Sequence, residues 1–160
     1  MKPILLATDG SPVAAEATAK AIELADALGA PLVIATIWQV TYEPVGIAFG
    51  TLVPNLDSVG NEEAQKIVEQ AAAPAHEAGV ECETIVRRGY PAQEICAIAD
   101  EEDVQLIVLG SHGWGTMRRA IFGSVSTNVL HHAGRPVLVV PPPVKVGRVE
   151  HDRAAEEVGV

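Results

Sequence analysis

Five short strand-like runs, most of them apolar, alternate with helix-period segments along this chain, and that alternation leaves few folds open to it. Pro3–Thr8 (PILLAT), Leu32–Trp38 (LVIATIW), Glu83–Arg87, Val104–Leu109 (VQLIVL) and Pro136–Val140 read as strands. They are too short for helices, and the first, bounded by Asp9-Gly10, reads as a strand buried on both faces. Between the first two, Ser11-Pro12 gives an N-cap followed by proline at the first helical position, and Gly29 supplies the stop. Ala14, Ala17, Ala21, Leu24 and Leu28 recur between them at spacings of three and four, the period of a one-sided helix. Further helices are predicted over Glu62 to about Ala78, Pro91–Glu102 and Ser124–Ala133, with Ile67, Val68, Ala71, Ala72, Ala75, Ile95, Ile98 and Ala99 facing the core. Pro74 lacks a backbone donor, so a kink or early break is expected there.

Strand–helix alternation from end to end calls for a parallel sheet with helices on both faces, because right-handed crossovers place them there. The predicted fold is three-layer α/β/α with a five-stranded parallel sheet, flavodoxin- or Rossmann-like. Ligands of such sheets bind at the carboxyl ends of the strands near a switch point. That directs attention to the loops after strands one, two and four. Two segments break the rhythm. Gln39–Gly60 is long, holds Gly46, Gly50, Pro44 and Pro54, and reads as a flap beside the site. From Pro141 the chain cannot continue the sheet and reads as an extended tail.

Between strand four and helix four the sequence is GSHGWGTMRRAIFGS. Gly110 and Gly113 allow close approach of backbone to phosphate oxygens and positive φ angles. Gly123 and Ser124 put N–H groups and a hydroxyl at the positive end of helix four, with Val125 and Ser126 next in line. The set forms an anion cradle without lysine. A P-loop is excluded because no GxxxxGK[ST] occurs, and GxGxxG is missing after strand one, which ends Thr8-Asp9-Gly10-Ser11. GxSxG and HExxH are absent as well.

The spacing G-x2-G-x9-G-S, filled by Gly110, Gly113, Gly123 and Ser124, is similar to the ATP-binding signature of the universal stress protein family. The opening ILLATDGS and the run GSV-x3-VL-x2-A-x2-PVLVV to Val140 resemble that family too. The resemblance implies a domain over residues 1–141 and a C-terminal tail over 142–160. It implies that ATP binds with Asp9 near the ribose and phosphates and Ala7 lining the same crevice. The backbone of Ile37 would read the adenine edge, and Gly110, Gly113, Gly123 and Ser124 would contact phosphate and ribose, with Val125 beside them. Mg or Mn would reach Asp9 only together with nucleotide phosphates. It further implies a homodimer through the last strand, Val137–Val140.

The function expected is a nucleotide-dependent stress-response regulator with at most slow hydrolysis, since no base for water and no committed arginine finger is evident. Two alternatives stay open: a protein-interaction module without nucleotide, and a cyclic AMP binder. A net charge of −10 with scattered basic residues argues against nucleic acid as a partner. No apolar run reaches membrane-spanning length, so a cytoplasmic protein without a membrane partner is expected, with Cys82 and Cys96 as reduced filler. His112 is read as a peripheral contact rather than a catalyst, and Arg118 and Arg119 as a solvated helix face. His131 and His132 are adjacent and diverge on a helix, which suits the C-terminal dipole better than a metal. Asp100–Asp103 reads as a surface turn.

Overall fold

Residues 4–7 are apolar and buried on both sides, and as β1 (Ile4–Ala7) they take the centre of the sheet. The structure, a computed structural model, describes residues 1–39, 56–113 and 123–143. The segment 40–55 of the expected flap, most of the tail (144–160), and Trp114, Arg118 and Arg119 lie outside the described residues.

After β1 come α1 (Pro12–Leu28), β2 (Leu32–Trp38), α2 (Leu56–Glu77), β3 (Cys82–Arg88), α3 (Pro91–Glu101), β4 (Leu106–Gly110), α4 (Ser124–His132) and β5 (Val137–Val140). The strands form one parallel sheet in the order β3-β2-β1-β4-β5. This is the first five strands of the Rossmann arrangement rather than the flavodoxin order, which interleaves its third strand next to the first. Alternate residues of β1 serve opposite layers. Ile4 and Leu6 join Ala17, Ala21, Val68 and Ala75 under α1 and α2. Leu5 and Ala7 join Ile95, Ile98 and Val129 under α3 and α4.

The caps of α1 are those the sequence predicts. Ser11 Oγ accepts the Ala14 N–H at 3.2 Å, and Gly29, at φ +60°, ends the helix. The apolar face differs at its far end: Ala25 is buried, whereas Leu28 is 46% exposed. The core stripe has drifted off Leu28 by the last turn.

Helix α2 corrects two expectations. It starts at Leu56, inside the stretch read as a flap, and it passes through Pro74 without breaking until Glu77. The N–H that proline lacks would have met the carbonyl of Gln70, and both residues face solvent, where water substitutes. Gly79 ends the helix instead, with Val80 N–H on Ala75 O at 2.9 Å.

Strand β4 begins at Leu106 rather than Val104. Asp103 adopts φ +46°, and the Val104 N–H closes back on Ala99 O at 3.1 Å, so it serves the end of α3 and not the sheet ladder. The acidic turn here is an ion-pair hub. Lys2 Nζ and Arg135 Nη1 lie 2.8 and 2.9 Å from the Asp103 carboxylate, and Arg135 Nε lies 3.5 Å from Asp100. It closes the end of the sheet opposite the carboxyl ends of the strands.

Candidate nucleotide cleft

Strands β1 and β4 are neighbours, with Ala7 opposite Leu109, yet the chain leaves them toward different layers. From β1 it turns into α1; from β4 it runs to α4 on the other face. A crevice must open where the two exits part. It has a volume of about 610 Å3.

One wall comes from the exit of β1. Gly10 holds φ +73°, a conformation that glycine adopts without strain, and this lets the chain turn sharply beneath Asp9. Asp9 Oδ1 accepts the Ser11 N–H at 3.0 Å, an Asx turn that fixes the carboxylate. Thr8 is buried behind it, its carbonyl accepting Thr36 Oγ1–H at 2.9 Å and its own hydroxyl oxygen accepting the Gly10 N–H at 3.3 Å.

The opposite wall is the loop after β4. Neither Gly110 nor Gly113 adopts a left-handed φ, contrary to the sequence expectation. Close quarters, not φ, are what favour glycine at both. A Cβ at Gly110 would lie 3.2 Å from Val13 Cγ1 and 3.3 Å from the His112 carbonyl oxygen. A Cβ at Gly113 would run into Asp9 Oδ2. Gly113 therefore presses its bare backbone against the acidic wall.

The far end of the loop is tied down by hydrogen bonds. Gly123 N–H donates to Ser111 O at 2.6 Å, and Ser111 N–H donates to Val140 O at 2.8 Å. Ser126 Oγ lies 3.0 Å from both Ser111 O and Gly123 O, and its side chain is buried. Ser111 Oγ and His112 Nδ1 are 3.0 Å apart. Gly123, not Ser124, is the N-cap of α4, and it has no side chain to cap with. The amides of Ser124, Val125 and Ser126 occupy the first turn, where a helix offers no acceptors of its own. Their positive end faces the cleft.

Every site residue named from the sequence lines this one cleft: Ala7 from β1 and Asp9 just after it, Ile37 from β2, Gly110 at the end of β4 and Gly113 beyond it, and Gly123, Ser124, Val125 and Ser126 at α4. The sequence reading missed Pro91 and Ile95, which bring the start of α3 into the wall. Proline at a helix start directly after a strand is the signal that could have found them. It also missed Thr8 and Ser111, whose hydroxyls carry no pattern distinguishing them from other loop residues. His112 does line the cleft. His131 and His132 do not, and their rings sit edge to face 6.5 Å apart, with His132 Nδ1 2.8 Å from Asn128 O.

Chemically the cleft is apolar at Ala7, Ile37, Pro91 and Ile95 and rich in backbone donors near α4. No lysine or arginine occurs among its described lining residues, and Asp9 is their one carboxylate. Among the described residues, no group of three His, Cys, Asp or Glu is placed to hold a metal. No described helix is long and apolar enough to cross a membrane.

Fold and cleft together define a doubly wound α/β protein with a crevice at its switch point that the first turn of α4 helps to line. Residues 1–141 match the model of the universal stress protein family. The chain is 38% identical over 146 residues to universal stress protein YxiE of Bacillus subtilis, covering 86% of this chain and 97% of that one. It is 34% identical over 145 residues to a universal stress protein of Methanocaldococcus jannaschii, covering 90% and 84% respectively. A universal stress protein solved in complex with cyclic AMP superposes with a TM-score of 0.67 at 27% identity, over 89% of this chain and 98% of that one. This chain belongs to the universal stress protein family.

Proposed function

We propose that the protein binds an adenine nucleotide, ATP foremost, in the cleft between β1 and the loop after β4, and acts as a nucleotide-dependent regulator. The observation that carries this reading is the close approach of Gly113 to Asp9 in the same cleft that an α4 N-terminus capped only by glycine lines. A Cβ would fill the cradle, and the first-turn amides supply donors for phosphate oxygens. The apolar side, with Ile37, Ala7, Pro91 and Ile95, suits a purine. Asp9 suits a ribose hydroxyl, for which a carboxylate is a strong acceptor.

A divalent ion such as Mg or Mn would find in Asp9 a single carboxylate among the described lining residues. It would have to be held jointly with nucleotide phosphates. A bound metal would offset the repulsion between Asp9 and a polyphosphate.

Cyclic AMP is the second reading. The cyclic AMP complex of a relative with the same fold favours it, as does the lack of lysine and arginine among the described lining residues. One phosphate charge is met more readily by dipoles than three. The rest of the reading is a cytoplasmic homodimer through β5. That edge strand is wholly apolar (VLVV) and half-buried, and it pairs on one side with β4. An unpaired apolar edge invites a second copy.

The test is mass spectrometry of ligand released from the purified protein, with calorimetric titration of ATP, with and without Mg, and of cyclic AMP. Co-purifying or micromolar ATP supports the first reading, and tighter cyclic AMP binding the second. If neither nucleotide binds, the cleft is not a nucleotide site.

A further inference from the structure

We infer that Ser126 is a positioning residue for the nucleotide loop, acting through its hydroxyl on the loop backbone rather than as a contact to the ligand; this rests on the nucleotide reading above. The connection after β4 runs from Ser111 to Gly123, and these two ends must be held together for the first turn of α4 to line the cleft. Gly123 N–H on Ser111 O is one tie, at 2.6 Å. The Ser126 hydroxyl is the other, sitting 3.0 Å from Ser111 O at one end of the loop and 3.0 Å from Gly123 O at the other. The hydroxyl has one proton, and both acceptors it can reach belong to the loop.

Its environment strengthens the tie. Ser126 and Ser111 are each 2% exposed, so water has little access to compete for these bonds. The same Ser111 is anchored through its N–H to Val140 O at 2.8 Å, the last residue of β5. The hydrogen bonds therefore run from the sheet, through Ser111, to the first turn of α4. Ser126 is the side chain that closes this path. Val125 and Ser124 precede it in the turn, so an untethered turn would release the amides that face the cleft. Losing the tie leaves Ser111 O with one donor and lets the turn fray, because first-turn residues have no intrahelical N–H bonds of their own.

The consequence is a residue that raises affinity by preorganisation. Removing one neutral hydrogen bond of this kind corresponds to a loss of about three- to tenfold in affinity. Ser126→Ala is therefore expected to raise the Kd for ATP or cyclic AMP about three- to tenfold. It should also speed hydrogen exchange at the Gly123 amide, read by NMR on the ligand-free protein. Ser126→Thr keeps a hydroxyl and should hold both Kd and exchange near wild type.

The readouts separate this inference from the reading beneath it. If the wild type binds neither nucleotide, the nucleotide reading fails and the role for Ser126 in affinity falls with it. Gly123 exchange then still shows whether the tie exists. If the wild type binds and Ser126→Ala binds equally well, the positioning role is overturned while the nucleotide reading stands. If alanine and threonine lose affinity alike with Gly123 exchange unchanged, side-chain shape and not the hydroxyl matters, which also overturns it.

Discussion

Replacing Gly113 by alanine adds a single methyl group, and the structure says where it must go. The new Cβ meets Asp9 Oδ2 far inside contact distance, with Asp9 Cγ 3.5 Å away. The backbone of residue 113 is not left-handed, so alanine pays no conformational penalty there. The unfolded chain in fact loses freedom, which favours folding by about 0.4–1 kcal/mol. Against this, either the loop retreats or Asp9 turns and gives up the Ser11 N–H that it holds at 3.0 Å. A hydrogen bond to a charged group is worth about 1.5–3 kcal/mol, and half-exposure of Asp9 places the loss at the low end. The expected net destabilisation is about 0.5–1 kcal/mol, a drop in Tm of roughly 1–4 °C for a domain of this size. Nucleotide affinity should suffer more, by at least about tenfold or 1.4 kcal/mol, because the cradle itself is displaced. A double-mutant cycle isolates the cause. In an Asp9→Ala background the carboxylate is gone, and Gly113→Ala should become neutral or slightly stabilising in urea denaturation. An equal cost of Gly113→Ala in both backgrounds would refute the steric argument.

Gly10→Ala combines φ +73° with an Ile67 Cγ1 atom 3.1 Å from the new Cβ, so a loss of about 1–2 kcal/mol in urea denaturation is expected; a neutral substitution contradicts the strained turn. The Asp103 carboxyl is held below its ordinary value of 3.8 by its hydrogen bonds to Lys2 and then Arg135. Its folded pKa is depressed, so this contribution is present above about pH 4 and disappears as pH falls through the lower folded value. Asp103→Asn, which tolerates the left-handed backbone, should flatten the acid side of the stability–pH curve below about pH 4; an unchanged slope would count against the hub. Burial pushes the thiols of Cys82 and Cys96 up, with Asp100 adding to the effect at Cys96. Both should alkylate more slowly at pH 7 than a free cysteine and speed up as pH rises; rapid labelling at neutral pH would contradict this.

Much of the molecule was legible before any coordinates. Hydrophobic period separated strands from helices, Ser11 and Gly29 marked the ends of α1, and the apolar uniformity of β1 announced burial on both faces. These are local signals, written by residues within a few positions of one another. The loops at the cleft were also legible, because the architecture places those after β1, β2 and β4 at one edge and the glycine spacing singles out one of them, whereas Ala7 and Ile37 were indicated only by the family resemblance.

What the sequence could not decide was anything set by groups brought together from afar. Alternation fixes a parallel sheet but not its order, and β3-β2-β1-β4-β5 follows from which faces the helices cover. Pro74 reads as a breaker, yet the helix runs on because Pro74 and Gln70 look into water. Gly110 and Gly113 suggest backbone freedom, whereas in the tertiary structure what favours them is closeness, to Val13 and to Asp9 some hundred residues earlier. Ser126 looks like one more hydroxyl near a phosphate; only the folded chain shows that its oxygen lies within hydrogen-bond reach of the Ser111 and Gly123 carbonyls. Local preferences depend on the neighbouring chain and can be read from it. Contact, burial and hydrogen-bond partners depend on distances that exist only once the sheet has closed and its layers have packed.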